Sequence, residues 1–252
     1  MIGGMVLLLA TCGWMVGGEE GARWAVRGGT GSPDDWRAVI SPDAMYRQFG
    51  ARLIQRHEWP ALFDMLGDIS RRARLPRIPD IYHLPDAGMN AYALGCPEAS
   101  AITLTEGLLR GMTRGEIAGI LAHEVGHIRN NDGWALNLAA ALHRATALTA
   151  LMGLAGTPCG TTATVLSSAP MIGQMLHMTL SRIREFDADA VALHLVDDPR
   201  ALVEALHKLE HHHGGSRSWR PERHDDGDLL RFLRSHPETW ERVGTLIRLA
   251  AH

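Results

Sequence analysis

His123-Glu124-Val125-Gly126-His127 is the segment whose residue types and spacing carry chemistry. Two histidines four apart on a helix lie one turn and about 40° from each other, so both imidazoles can reach one ion. Glu124 sits between them and can approach a water on that ion without ligating it. This is the spacing of a zinc-dependent hydrolytic centre. Zinc lowers the pKa of such a water toward about 7, and the carboxylate takes its proton as the oxygen attacks a peptide carbonyl. Catalytic zinc uses three protein ligands and keeps one position open, so two histidines are not enough. The extended HExxHxxGxxH pattern fails, because Asn130 and Gly133 stand where Gly and His are required. The third ligand must come from elsewhere. Arg184-Glu185-Phe186-Asp187-Ala188-Asp189 places Glu185 and Asp189 on one helix face at i, i+4. Glu185 would complete a two-histidine, one-glutamate set, and Asp189 could orient a histidine through its second ring nitrogen. A solvated acidic face paired with Arg182 and Arg184 fits the same spacing equally well.

The elements around these residues follow from capping and periodicity. Thr113 and Glu116 have capping-box spacing, and Ile117, Ile120 and Leu121 lead into the histidines, so a helix is expected from Thr113 to about Asn130. Upstream, Ser41-Pro42 opens a helix to about Arg56, and Pro60 opens a second with the stripe Leu62, Phe63, Leu66, Ile69 and Ala73. Between Pro76 and Thr105 prolines punctuate short runs, Ile81 to Leu84, Ala91 to Leu94 and Ala101 to Leu104, which read as strands of a small sheet. Downstream, no Asp, Glu, Lys or Arg occurs between Arg144 and Arg182, and Gly156, Pro158 and Gly160 break that stretch. Residues 145–181 therefore read as an apolar helical hairpin, either membrane-associated or buried. Asp198-Pro199 starts the next helix, which stops at Gly214-Gly215; a polar loop follows to about residue 228, and His236-Pro237 introduces a last helix. His211, His212 and His213 end a helix and read as solvated. The expected fold class is α+β and mainly helical, with a small β-sheet packed on a helical domain.

Composition limits the alternatives. Of 252 residues, 46% are hydrophobic, which excludes disorder. The net charge of -3 provides no field for nucleic acid. Three cysteines without metal-like spacing read as reduced, buried thiols. Residues 1–18 carry no charge and are long enough to cross a hydrocarbon core as a helix, so they read as a membrane anchor. Residues 19–40, rich in Gly and charge, read as a linker to a domain over 41–252.

HEVGH followed by EFDAD resembles the zinc metallopeptidase family of bacterial HtpX and the eukaryotic CAAX prenyl protease. Asn90-Ala91-Tyr92-Ala93-Leu94-Gly95 is similar to the family's N-A-[FY]-A-x-G segment. Ile102-Thr103-Leu104-Thr105-Glu106-Gly107-Leu108-Leu109 is similar to its strand and turn before the zinc helix, and Ser235-His236-Pro237 to its Thr-His-Pro element. The resemblance implies one Zn2+ held by His123, His127 and Glu185, with Glu124 as catalytic base, Asp189 behind a ligand and His236 as an active-site helper. It also implies an edge strand containing Asn90, Ala91 and Tyr92, to which a protein or peptide substrate adds as a further strand. Misfolded membrane proteins are the implied substrates, and the bacterial inner membrane the implied location, with the side facing the active site open. HtpX-type members have two N-terminal spans, whereas this chain has room for one. A zinc-stabilised membrane adaptor or chaperone without hydrolysis is the alternative; the intact Glu124 argues against it, since a structural zinc needs no carboxylate there.

Overall fold

A computed structural model describes residues 41–133, 135, 161–214 and 239–250. The expected anchor 1–18, the linker 19–40, the first half of the charge-free stretch, the loop after Gly215 and His236 lie outside the described residues.

Helix α1 (Pro42–Phe49) is capped by the Ser41 hydroxyl, which accepts from the Ala44 N–H. It is shorter than the expected helix to Arg56. Gly50 adopts φ 68°, a left-handed conformation that costs glycine little, and its N–H closes on the Met45 and Tyr46 carbonyls. The next residues form β1 (Arg52–Leu53), pairing antiparallel with His83 and Tyr82. Helix α2 (Pro60–Arg72) buries Leu62, Leu66 and Ile69, the stripe read from the sequence. Strands β2 (Asp80–Leu84), β3 (Ala91–Cys96) and β4 (Ala99–Thr105) complete a mixed sheet ordered β1-β2-β4-β3. β4 is central and buried along its whole length, parallel to β2 and antiparallel to β3.

The two faces of the sheet are covered differently. Ile81, Ile102 and Leu104 lie in the core that also contains α2 residues and Ile117, Ile120 and Leu121. Tyr82, Cys96 and Ala101 face the opposite way, onto Met45 of α1. Residues Glu106–Gly111 form helix α3, in which the Thr105 side chain accepts from the Leu108 N–H at its start.

Helix α4 (Arg114–Arg129) carries both histidines of the motif. Its capping box is complete: Thr113 Oγ1 accepts from the Glu116 N–H, and Glu116 Oε2 accepts from the Thr113 N–H. The helix is buried on most sides. Fully burying residues such as Ile120, Leu121 and Val125 contributes roughly 1.5–3 kcal/mol each for the larger side chains. Two glycines allow its neighbours to come close: Gly119 lies against the backbone of Leu202, and Gly126 against that of Ala188. Those neighbours are α6 (Pro199–Gly214) and α5 (Thr161–Leu195). Lys208 of α6 reaches the buried Glu116 at 2.8 Å, tying α6 to the start of α4.

Helix α7 (Thr239–Ala250) closes the described chain and packs on α6. Contacts divide the chain into two units, one comprising residues 33–131 and 184–252, the other including Thr161–Ile183 of α5. Among the described residues, no helix is long and apolar enough to cross a membrane.

Candidate metal centre

His123 and His127 project from one side of α4, as four-residue spacing requires, and Glu185 approaches from α5. The Nε2 atoms of the two histidines are 3.0 Å apart. His123 Nε2 is 3.4 Å from Glu185 Oε2, and His127 Nε2 is 3.4 Å from Glu185 Oε1. A tetrahedral ion with bonds of about 2.0–2.1 Å separates its ligand atoms by about 3.3 Å, so these spacings fit zinc. Glu185 is 6% exposed and Asp189 2% exposed. The solvated acidic face that the spacing also allowed is therefore not what forms; the i, i+4 pair points inward.

Asp189 Oδ1 lies 2.8 Å from His123 Nδ1. The Nδ1–H donates to that carboxylate, which leaves the Nε2 lone pair directed at the other two donor atoms. Burial pushes the Asp189 carboxyl up, but bonds from Arg242 and the charge of His123 outweigh it and hold the group down at about 2. Asp189 accepts from both Arg242 and His123. For His123, burial and the charge of Arg242 push the imidazole down, while Asp189 and Glu185 push it up and prevail. Glu124 follows His123 directly on α4 and is buried at the same centre.

Arg242 was not singled out by the sequence reading. It reaches the centre from α7, 5% exposed, with Nε and Nη2 each donating at 2.7 Å to the two oxygens of Asp189. Its Nη1 lies 3.2 Å from Glu185 Oε2. A chain in which nearly every basic residue is arginine gives no local sign of which one is buried; only the packing of α7 reveals it.

The edge-strand residues are placed by register. Asn90 precedes β3; its N–H donates to Thr105 Oγ1, and its carbonyl accepts from the Thr105 N–H at 3.1 Å. Opposed residues of an antiparallel ladder alternate between bonded and non-bonded pairs, so Tyr92 turns its backbone to Thr103, and Ala91 and Ala93 turn theirs to the open side. No described strand pairs with β3 on that side. Ala91 and Ala93 also face the core that holds α4, while Tyr92 lies on the other face of the sheet. His211 and His212 are exposed at the end of α6, as expected of solvated residues. A separate cavity of about 400 Å³ lies between β1, the loop after it, β2 and α3, lined by Arg52, Trp59, His83 and Glu106 among others, and contains none of the converging ligands.

Residues 60–250 match peptidase family M48. The chain belongs to that family. The M48 chain is 34% identical over 224 residues to a protease HtpX homolog of Acaryochloris marina, covering 80% of this chain and 76% of the relative. It is 28% identical over 274 residues to the protease HtpX homolog of Burkholderia thailandensis, covering 99% and 95%. Its fold is similar to that in the crystal structure of S. mikatae Ste24p, with a TM-score of 0.55 at 19% identity. That similarity covers 97% of this chain and 62% of the solved one. The M48 protein is an HtpX-like zinc metalloendopeptidase, and its cluster of His123, His127 and Glu185 could hold a metal ion. The resemblance read from HEVGH, EFDAD and the N-A-Y-A-L-G segment is to this family.

Proposed function

We propose that this M48 peptidase cleaves internal peptide bonds of protein substrates, misfolded membrane proteins among them, at a membrane surface. In this reading His123, His127 and Glu185 hold one zinc ion. The observation that carries it is the convergence of three donor atoms at tetrahedral spacing, two from buried residues and one from the half-buried His127, with the buried Glu124 next to His123 on α4. When bound there, zinc supplies Lewis acidity that makes water acidic near neutral pH.

The chain's own residues do the rest. Glu124 accepts the proton of the attacking water on its carboxylate and returns it to the nitrogen of the departing amine. Asp189 keeps His123 in the tautomer whose Nε2 is free to ligate. The substrate adds along the open side of β3, where the N–H and C=O groups of Ala91 and Ala93 are available to an extended chain. Asn90 fixes the start of that strand through its bonds to Thr105. His236 serves as a donor to the oxyanion formed in the attack. Residues 1–18 anchor the enzyme, and the bacterial inner membrane is its proposed site.

The test is zinc stoichiometry together with casein cleavage in wild type and Glu124→Gln. One zinc in both proteins, with cleavage in wild type alone, is the expected result. One zinc in both with cleavage in neither would favour the non-hydrolytic adaptor.

A further inference from the structure

We propose that Arg242 is a positioning residue of the metal centre: its planar fork holds Asp189 and Glu185 together, and so sets how tightly the site binds zinc. This inference rests on the assignment of His123, His127 and Glu185 as ligands. Its basis is the geometry of one guanidinium shared by two carboxylates of the same helix. Nε and Nη2 engage both oxygens of Asp189 at 2.7 Å, while Nη1 faces Glu185 Oε2 at 3.2 Å. All three groups are nearly inaccessible to water.

The arrangement has two consequences. Asp189 and Glu185 lie one turn apart, are both buried, and would repel each other without a cation between them. Arg242 supplies such a cation in contact with both, and it arrives from a different helix, α7. It also holds Oε2 of Glu185, the oxygen that lies 3.4 Å from His123 Nε2, while Oε1 stays on the side of His127. The carboxylate is thereby prevented from rotating away from the histidines. The same guanidinium acts on His123 through Asp189, whose Oδ1 is shared by Nδ1 and Nη2, and directly, with Nη2 3.3 Å from Nδ1 and 3.4 Å from Nε2 of the ring. Two of the three ligands are thus held by one side chain that ligates nothing.

A bidentate fork of this kind is specific to arginine. Lysine offers the same charge from a single point and cannot bond both Asp189 oxygens while facing Glu185. The charge and the shape can therefore be separated by experiment.

Zinc affinity is measured by competition with a chromophoric chelator for wild type, Arg242→Met and Arg242→Lys. The visible absorption of the Co2+-substituted proteins is recorded alongside, and far-UV circular dichroism reports the fold. Loss of a partner behind a metal ligand typically weakens binding by about 10–100-fold, and that loss is expected in Arg242→Met. Arg242→Lys is expected to remain folded and to recover only a minor part, with an altered Co2+ spectrum. Combining Asp189→Asn with Arg242→Met should weaken zinc by less than the product of the single effects, because both act through one contact. Wild-type affinity and spectrum in folded Arg242→Met would overturn the proposal, including where turnover alone is lost, since that places Arg242 on the substrate. If Arg242→Met does not fold, Arg242→Lys decides: wild-type affinity and spectrum there overturn the role of the fork. A wild-type protein that binds no zinc would overturn the ligand assignment itself, which separates the two failures.

Discussion

Replacing Gly126 with alanine tests whether the spacing between α4 and α5 sets the metal centre. Gly126 lies between the two histidines, and a Cβ built on it stands 3.0 Å from the Ala188 carbonyl oxygen and 3.1 Å from its Cα. Carbon pairs prefer about 3.5–4.0 Å, so the two helices must part locally by roughly half an ångström. Glu185 lies one turn before Ala188 and moves with it. Functional geometry tolerates about 0.5 Å, and a displacement of about 1 Å costs about 100-fold in rate. The displacement stands at the edge of that tolerance, so the expected loss is up to about 10-fold in zinc affinity and turnover. Stability should change less. Overpacking costs about 1–3 kcal/mol, while alanine in place of a helical glycine recovers about 1 kcal/mol. Gly119→Ala is the control, because its Cβ would meet Leu202 Cα at 2.8 Å, on α6 rather than α5. It should destabilise at least as much while zinc affinity of the folded protein is kept. Chelator competition and urea melts on both variants make the comparison. Wild-type zinc affinity in Gly126→Ala, or equal zinc loss in Gly119→Ala, would refute the reasoning.

Glu185→Ala should weaken zinc binding by orders of magnitude, and Asp189→Ala by about 10–100-fold, as read by zinc competition; equal affinity in Glu185→Ala and wild type would remove Glu185 from the ligand set. Lys208→Met should cost about 1–2 kcal/mol at pH 7, less than for a fully buried partner because the ammonium is half exposed. Burial raises the Glu116 carboxyl, but Lys208 and the Thr113 bonds prevail and hold it below its ordinary 4.5. The contribution of a depressed carboxyl is present above its unfolded value and lost as pH falls through the folded one. The stability gap between wild type and Lys208→Met should accordingly close in acid, and urea melts showing a gap independent of pH would contradict this. Removing residues 1–18 should shift the protein at least partly from the membrane to the soluble fraction; full retention would transfer the anchor to another segment. His236→Ala should keep zinc but lose turnover by about 10²–10³, and zinc loss in that variant would make His236 a ligand instead.

The sequence alone was enough to locate α4, its capping box and the histidine pair, because those depend on spacings within one helix. Thr113, Glu116, His123 and His127 are four positions whose relations are set by 3.6 residues per turn. The three main strands were also legible, since prolines bound short apolar runs. Residue spacing did not decide between ligand and solvated face for Glu185 and Asp189, and only the resemblance favoured the ligand. In the structure Gly126 admits the Ala188 backbone and α5 turns that acidic face inward. The end of α1 was misread because Gly50 can be crossed by an amphipathic pattern, while its left-handed turn is rewarded only when Arg52 and Leu53 find β2. Arg242 was invisible for a similar reason. Its role depends on three contacts to residues more than fifty positions away in the chain, and no local periodicity records which arginine will be buried. Spacing within an element is written in the sequence; which faces meet is decided by close approach between elements, and here that approach turns on two glycines and one guanidinium.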